Sequence, residues 1–397
     1  MTVELVYKPR LAEYRFSDSH PLRPERFVLA VELMRAWRLI CDPDAENPSC
    51  ATLVDSEPAS YSDLLAVHTD SYVEAVRAAG ANPGAWSGGF GIGPGDTPAF
   101  AHMHEISAEI AGATIRALTD VVEGHCQRSF SPAGGLHHAH RDRASGFCVY
   151  NDPAIAICHT LAVHPEMRIA YVDVDVHHGD GVQDVFCDHS NVLTVSVHES
   201  GRFLFPGTGR IVEMGAGEGA SFAVNLPLAP GAGDDSYGIA FEAVIAPAVR
   251  AFSPDVIVAQ LGADSHRADP LAHLDTTVWG QYHIATRMVA LADEVCDGRI
   301  AATGGGGYDS FSAVPRAWAC ALAALLGVPV PEELPDSWRM LAVEAAERAG
   351  IRLHLPISTF GEVEAPKQPE WGGDPLGETE RAIVRLRAQH PLLRSGG

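Results

Sequence analysis

Five short apolar runs, spaced by longer amphipathic stretches, confine this chain to one fold class. Val3–Tyr7, Ile169–Val176, Val192–Val197, Asp255–Leu261 and Ile300–Thr303 have the length and β-branched content of buried parallel strands. Pro24–Leu39, Ile106–Val122, Tyr237–Phe252, Trp279–Val295 and Val314–Leu326 read as helices. Strands alternating with helices predict an α/β fold: a single large domain with a mostly parallel central sheet flanked by helices. The Gly/Pro-rich stretch Asn82–Pro98 suits neither element, and such loops in compact domains are usually functional or mobile. Composition changes after Pro329. Residues 1–328 are therefore expected to form the main body, with 329–397 a helical appendage packed on it or a flexible tail. Helices are expected there around Trp338–Ala349 and Glu378–Gln389, split by the loop Glu362–Gly377.

The run Arg168–Asp180, RIAYVDVDVHHGD, carries the strongest chemical signal. Read as a strand, its period of two puts Asp173, Asp175 and His177 on one face and three valines on the other. Carboxylates crowded there are costly without a cation or proton between them. A metal site at the carboxyl end of a buried strand explains the pattern. A solvated polar strand end is the plainer alternative for this motif alone.

Ligands of open α/β sheets collect at the carboxyl ends of the strands, so the other strand ends belong in the same argument. Asp264 follows the strand ending at Leu261. Four glycines, Gly304 to Gly307, follow Thr303 and present Tyr308; adjacent His137 and His138 precede the Arg168 strand. Asp175, His177 and Asp264 make three nitrogen and oxygen ligands with room for water, the pattern of a catalytic metal. Water bound there becomes acidic enough to attack an amide or ester carbonyl. Two histidines can serve as general base and acid, and a tyrosine hydroxyl can stabilise the oxyanion.

The remaining composition excludes rivals. Lys+Arg 28 against Asp+Glu 51 gives a formal charge of −23, which argues against nucleic acid or an anionic membrane surface as a partner. Eight scattered cysteines with no CxxC pair suggest neither a disulfide framework nor a zinc knuckle, and fit a reduced, cytoplasmic setting. The opening residues MTVELVYKPRLAEY do not read as a signal peptide, and no apolar run reaches membrane-spanning length.

GGLHHA, SGFCVYND, DVDVHHGDGVQDVF, FPGTG, LGADS and GGGGY occur in this order, with HPLRPER near the start. In this the chain resembles the histone deacetylase family of the arginase/deacetylase fold over about Val3–Leu326. It is most similar to the bacterial acetoin-utilization branch; GGLHHA separates it from the acetylpolyamine amidohydrolases. The resemblance implies a catalytic zinc on Asp175, His177 and Asp264. It implies His138 as the base, polarised by Asp180, and His137, paired with Asp173, as a group that stays protonated or helps the leaving amine depart. Tyr308 would polarise the acetyl carbonyl. Gly146, Phe147 and Phe205 would line a tunnel for the lysine stem, with Leu271 at its rim and Asp96 holding the substrate backbone.

The resemblance also implies potassium, held mostly by backbone carbonyls, at Asp173, Asp175, His177, Ser196 and Val197. A second such site would use Phe186, His189, Val192 and Phe222. Two carboxylates with one imidazole form a harder set than zinc usually has, so Fe2+, Co2+ or Mn2+ also suit it. Proline at position 270 replaces the basic residue that corepressor-associated relatives use for an inositol phosphate. The expected reaction is deacetylation of acetyl-lysine in proteins, with acetyl-CoA synthetase as the implied partner. The alternatives are a small-molecule amidohydrolase acting on acetylpolyamines and a non-catalytic acyl-lysine reader; loss of Tyr308 or a metal ligand would signal the reader, and none is lost.

Overall fold

Eight strands pair side by side, every neighbouring pair parallel: β1 Val3–Val6, β2 Thr52–Val54, β3 Arg128–Ser131, β4 Ile169–Asp173, β5 Val192–Glu199, β6 Ala223–Leu228, β7 Val256–Gln260 and β8 Ile300–Thr303. Their spatial order is β2-β1-β3-β8-β7-β4-β5-β6. The computed structural model describes residues 2–41, 49–367 and 373–394. Helices flank the sheet, so its inner strands are buried on both faces; β3, β4, β5 and β7 are buried along their whole length.

All five predicted strands are present, and three more join them. β2 is a three-residue, half-exposed edge, too short to register as an apolar run. β3 reads as polar, RSFS, yet is fully buried because most of its polar groups find partners inside, Arg128 Nε and Ser131 Oγ excepted. Arg128 donates to the Leu325 carbonyl (2.8 Å) and Asp293 (2.6 Å), and the Ser129 hydroxyl to the Ala117 carbonyl (2.8 Å). β6 contains Pro227, tolerated because β6 is the opposite edge.

Two expectations need correction. β4 stops at Asp173 instead of running to Val176. The Asp173 carboxylate accepts from the Asp175 amide (3.1 Å) and the Asp175 carboxylate from the His177 amide (3.0 Å). These side-chain bonds replace the ladder and turn the chain, so Asp175 and His177 leave from a loop rather than a strand face. The helix predicted over Tyr237–Phe252 needs a smaller correction: it is continuous and starts earlier, at Asp234, but between the α-helical stretches Asp234–Ala240 and Ala246–Phe252 its turn Phe241–Ile245 is π. Pro247 has no amide hydrogen to donate to the preceding turn, and the widened turn accommodates it.

Beyond residue 328, helices Asp336–Arg348 and Pro375–Gln389 lie against the body. Trp338 Nε1 donates to the Leu29 carbonyl (2.8 Å), and His390 Nε2 to the Ala223 carbonyl (2.9 Å). Between them Glu362 accepts from the Val278 amide (2.9 Å), and Lys367 Nζ donates to the Asp269 and Ala272 carbonyls at 3.0 and 2.6 Å. Part of the predicted loop Glu362–Gly377, residues 368–372, lies outside the described residues. Cys41 and Cys50 are joined in a disulfide, a pair that their spacing did not suggest; the other six cysteines are free. Among the described residues no helix is long and apolar enough to cross a membrane.

Candidate active site

The carboxyl ends of β4, β5, β7 and β8 lie side by side at one edge of the parallel sheet, and the loops leaving them bring the predicted residues together. Asp175, His177 and Asp264 are buried, and one donor atom of each lies within 4.8 Å of the other two. His177 Nδ1 sits 3.2 Å from Asp175 Oδ1 and 3.0 Å from Asp264 Oδ2. The outer oxygens are already held. Asp175 Oδ2 accepts from Gln260 Nε2 (2.7 Å) and the Gly306 amide (2.7 Å), and Asp264 Oδ1 from the Val176 amide (2.8 Å). Such bonds aim the other oxygens, Asp175 Oδ1 and Asp264 Oδ2, toward His177 Nδ1.

Electrostatics agree with a cation there. Burial penalises charge at His177, but Asp175 and Asp264 outweigh it and hold its pKa well above the usual value. Burial, then the charge of Asp175, pushes Asp264 up to about 6. Two buried carboxylates around one imidazole thus retain a proton where a divalent cation would supply more charge. The donor set fits a metal ion.

Beside it stand two histidine–aspartate pairs. His137 Nδ1 donates to Asp173 Oδ2 (2.7 Å), which the Tyr171 hydroxyl also reaches (2.8 Å). His138 Nδ1 donates to Asp180 Oδ1 (2.7 Å), and the two Nε2 atoms lie 3.1 Å apart. At His137, burial alone would favour the neutral form; Asp173 and Asp175 override it and lift the pKa to about 9. At His138, burial and then the charge on His137 depress it to about 3, despite Asp180. One imidazole is therefore cationic and its neighbour neutral, with Nε2 of His138 as the acceptor.

Tyr308 is partly exposed, and burial first, then Asp264, keeps its phenol protonated well beyond the normal range. Its amide donates to Asp269 Oδ2 (2.8 Å), and its ring meets Phe147 edge-on at 5.5 Å. Phe205 is 44% exposed and stands 5.0 Å from the His138 ring. Phe147 and Phe205 thus form two sides of the approach to the histidines. Gly146 has φ 52, and a Cβ there would overlap the His138 ring, so glycine is required on both counts. Asp96, exposed, accepts from the Gly146 amide (3.1 Å). Leu271 is half-buried in the loop of Asp269, whose Oδ1 accepts the Leu271 amide (2.9 Å).

The proposed potassium positions are more scattered. Ser196 pairs with Asp173 in register, and its hydroxyl meets His198 Nδ1 (2.8 Å). Val197 follows it on β5, and its carbonyl lies 3.5 Å from the Tyr237 hydroxyl. In the second set the Phe186 carbonyl accepts the His189 amide (3.1 Å) and the Phe222 carbonyl the Thr194 amide (2.8 Å). Val192 pairs with Ile169.

Several supporting residues escape a reading of motifs. Buried Arg26 donates to the Gly307 carbonyl (3.1 Å) and lies over the Trp318 ring. Asp152 accepts from the Gly135 and Leu136 amides at 2.9 and 2.7 Å, fixing the loop that carries the histidines. His140 Nε2 reaches Asp180 Oδ2 (3.2 Å) and Nδ1 reaches Asp184 (2.8 Å), so Asp180 serves two imidazoles. Gln260, which holds Asp175, was missed as well, although a polar residue near the end of an apolar strand was a signal.

Comparison with known proteins places the whole chain in one family. The histone deacetylase domain matches residues 20–325. The acetoin utilization protein AcuC of Bacillus subtilis (strain 168) is 40% identical over 393 residues, 97% of each chain. AcuC of Staphylococcus xylosus is 37% identical over 342 residues, 85% of this chain and 86% of that one. The crystal structure of a histone deacetylase homolog from Aquifex aeolicus superposes with a TM-score of 0.80 at 29% identity, covering 98% of this chain and 100% of that one. A histone deacetylase homolog complexed with SAHA gives the same values.

Proposed function

From the premise that this chain belongs to the histone deacetylase family, we propose that it hydrolyses the acetyl amide of acetyl-lysine in proteins. The observation that carries the reading is the apolar approach between Phe147 and Phe205, ending on a neutral imidazole, His138, beside the Asp175–His177–Asp264 set. An acyl-lysine stem is uncharged, and each buried methylene gains about 0.8 kcal/mol. The product ammonium loses that advantage in an apolar passage, which favours release.

A divalent ion on Asp175, His177 and Asp264, zinc or Fe2+, would polarise the carbonyl and acidify water. His138 Nε2 takes the proton of the attacking water, its tautomer set by Asp180. As the C–N bond breaks, His138 returns that proton to the leaving nitrogen, while His137 keeps its charge beside Asp173 and supports the departing amine. Tyr308 donates its hydroxyl hydrogen to the carbonyl oxygen as charge develops there. Asp96 and the Gly146 carbonyl orient the substrate amides, and Leu271 borders the mouth. Potassium would sit on the carbonyls of the loop from Asp173 to His177 with Ser196 and Val197, and on those around Phe186, His189, Val192 and Phe222. Those carbonyls each keep a second lone pair.

The relatives' name points to acetoin utilization, and we infer an acetylated metabolic enzyme, such as acetyl-CoA synthetase, as the substrate in the cytoplasm. Acetate release should be compared on an acetyl-lysine peptide and on acetylspermidine with metal-loaded protein. Preference for the peptide supports the reading. Preference for the polyamine would replace the substrate while leaving the site intact.

A further inference from the structure

The loop that carries Phe205 to the mouth also walls a separate cleft of about 820 Å3. Ser200–Phe203 and Gly207–Val212 form one side, the end of β6 the floor, and helix Pro375–Gln389 the other side. Three arginines line it: Arg202, Arg210 and Arg385. All three are exposed, and among the described residues none has a carboxylate within ion-pair distance. The one acid in the lining, Glu378, is bound at 2.9 Å by Arg381. Phe203 and Val212, 54% and 67% exposed, stand on the same wall.

In a chain of net charge −23, three unpaired cations beside two exposed apolar side chains form an inverted patch. Unpaired like charges repel one another, so the cluster gains only from an anionic partner. Its place is equally specific: Phe205 lies between the two lining segments Ser200–Phe203 and Gly207–Val212, so the cleft and the mouth share one loop. The cations are also of one kind. Of 28 basic residues only Lys8 and Lys367 are lysines, so the patch holds no group that the enzyme or its substrates' acetylation chemistry could modify. Arginine further offers a planar fork that matches a carboxylate.

We propose that this cleft docks an acidic segment of the acetylated protein, a few residues from the acetyl-lysine, and so selects substrates. The proposal rests on the protein-deacetylase reading above and specifies its substrate class. Exposed arginine–carboxylate pairs are individually weak, and three together correspond to roughly a five- to tenfold preference.

The test measures kcat/KM for acetyl-lysine peptides carrying three Glu, three Gln or three Arg on either side of the acetyl-lysine. Wild-type enzyme should favour the Glu peptide over the Arg peptide on one side, through KM, and lose that preference in 0.5 M salt. The variant R202E/R210E/R385E should invert the ratio. The salt dependence needs only the wild-type chain, so it decides the matter even where the triple variant fails to fold. Equal kcat/KM for the three peptides, or a ratio that the variant leaves unchanged, would overturn the proposal. Absence of acetate from every peptide, with release from acetylspermidine, would overturn the deacetylase reading on which it rests.

Discussion

Gly306 offers the sharpest test of the site because its constraint is spatial and not conformational. It has none of the positive φ seen at Gly305 and Gly307, so alanine fits the backbone. A Cβ there would lie 2.7 Å from the carboxyl carbon of Asp264 and 3.0 Å from Asp175 Oδ2. Carbon atoms in ordinary contact sit about 3.5 to 4.0 Å apart, so the Asp264 carboxylate must retreat by roughly 1 Å. Retreat is opposed by its bond from the Val176 amide and by the 2.7 Å bond from the Gly306 amide to Asp175. A misplacement of that size costs on the order of 100-fold in rate, and disturbed support of metal ligands on the order of 10- to 100-fold in affinity. Gly306→Ala should therefore weaken zinc binding by about that factor in a competition titration with a chelator, and lower kcat/KM in proportion. Gly84→Ala, which meets nothing within 4 Å, is the control. Wild-type zinc affinity and turnover in Gly306→Ala, with an unchanged circular dichroism spectrum, would refute the assignment of Asp264.

Tyr308→Phe should lower kcat by roughly two to three orders, as loss of one oxyanion donor does, with metal content unchanged; undiminished turnover would remove its role. His138→Ala should abolish turnover while thermal unfolding stays cooperative, and a substantial residual rate would move the base to His137. His140 is raised to about 9 by its bonds to Asp180 and Asp184, above the value near 6.5 of an unfolded chain. Its charge therefore stabilises the fold fully below about pH 6.5, and that contribution fades as pH rises through about 9. His140→Gln should flatten the fall in Tm across that window; parallel Tm profiles for the two proteins would contradict it.

The legible parts of this molecule are those whose chemistry is local. RIAYVDVDVHHGD announces itself because acids and an imidazole end an apolar run, and the candidate metal-ligand set, Asp175, His177 and Asp264, follows from strand ends alone. β3 was hidden because RSFS looks exposed until Asp293, Leu325 and Ala117 arrive to satisfy it. Arg26 reaches Gly307 across 281 residues, and no local pattern could pair them. Asp269 is similar, supporting the Tyr308 amide from a loop in which only Pro270 and Leu271 had been singled out. The extent of β4 failed for a subtler reason: aspartate at alternate positions reads as strand period, yet its carboxylates compete for the amides that the ladder would use.

His137 and His138 show how adjacent, equally buried side chains acquire opposite charge. Each donates Nδ1–H to one aspartate at 2.7 Å, so that bond cannot separate them. The difference lies in what else each aspartate serves and which second carboxylate is near. Asp180 divides its field between His138 and the charged His140, whereas His137 also has Asp175 Oδ1 at 3.9 Å. Once His137 is charged, its Nε2–H points at His138 Nε2 from 3.1 Å and disfavours a second proton there. The asymmetry is therefore enforced by the pair itself: the cation on one ring keeps the other a free base. Any substitution that neutralises His137 should consequently raise the basicity of His138 while removing the charge beside the leaving amine.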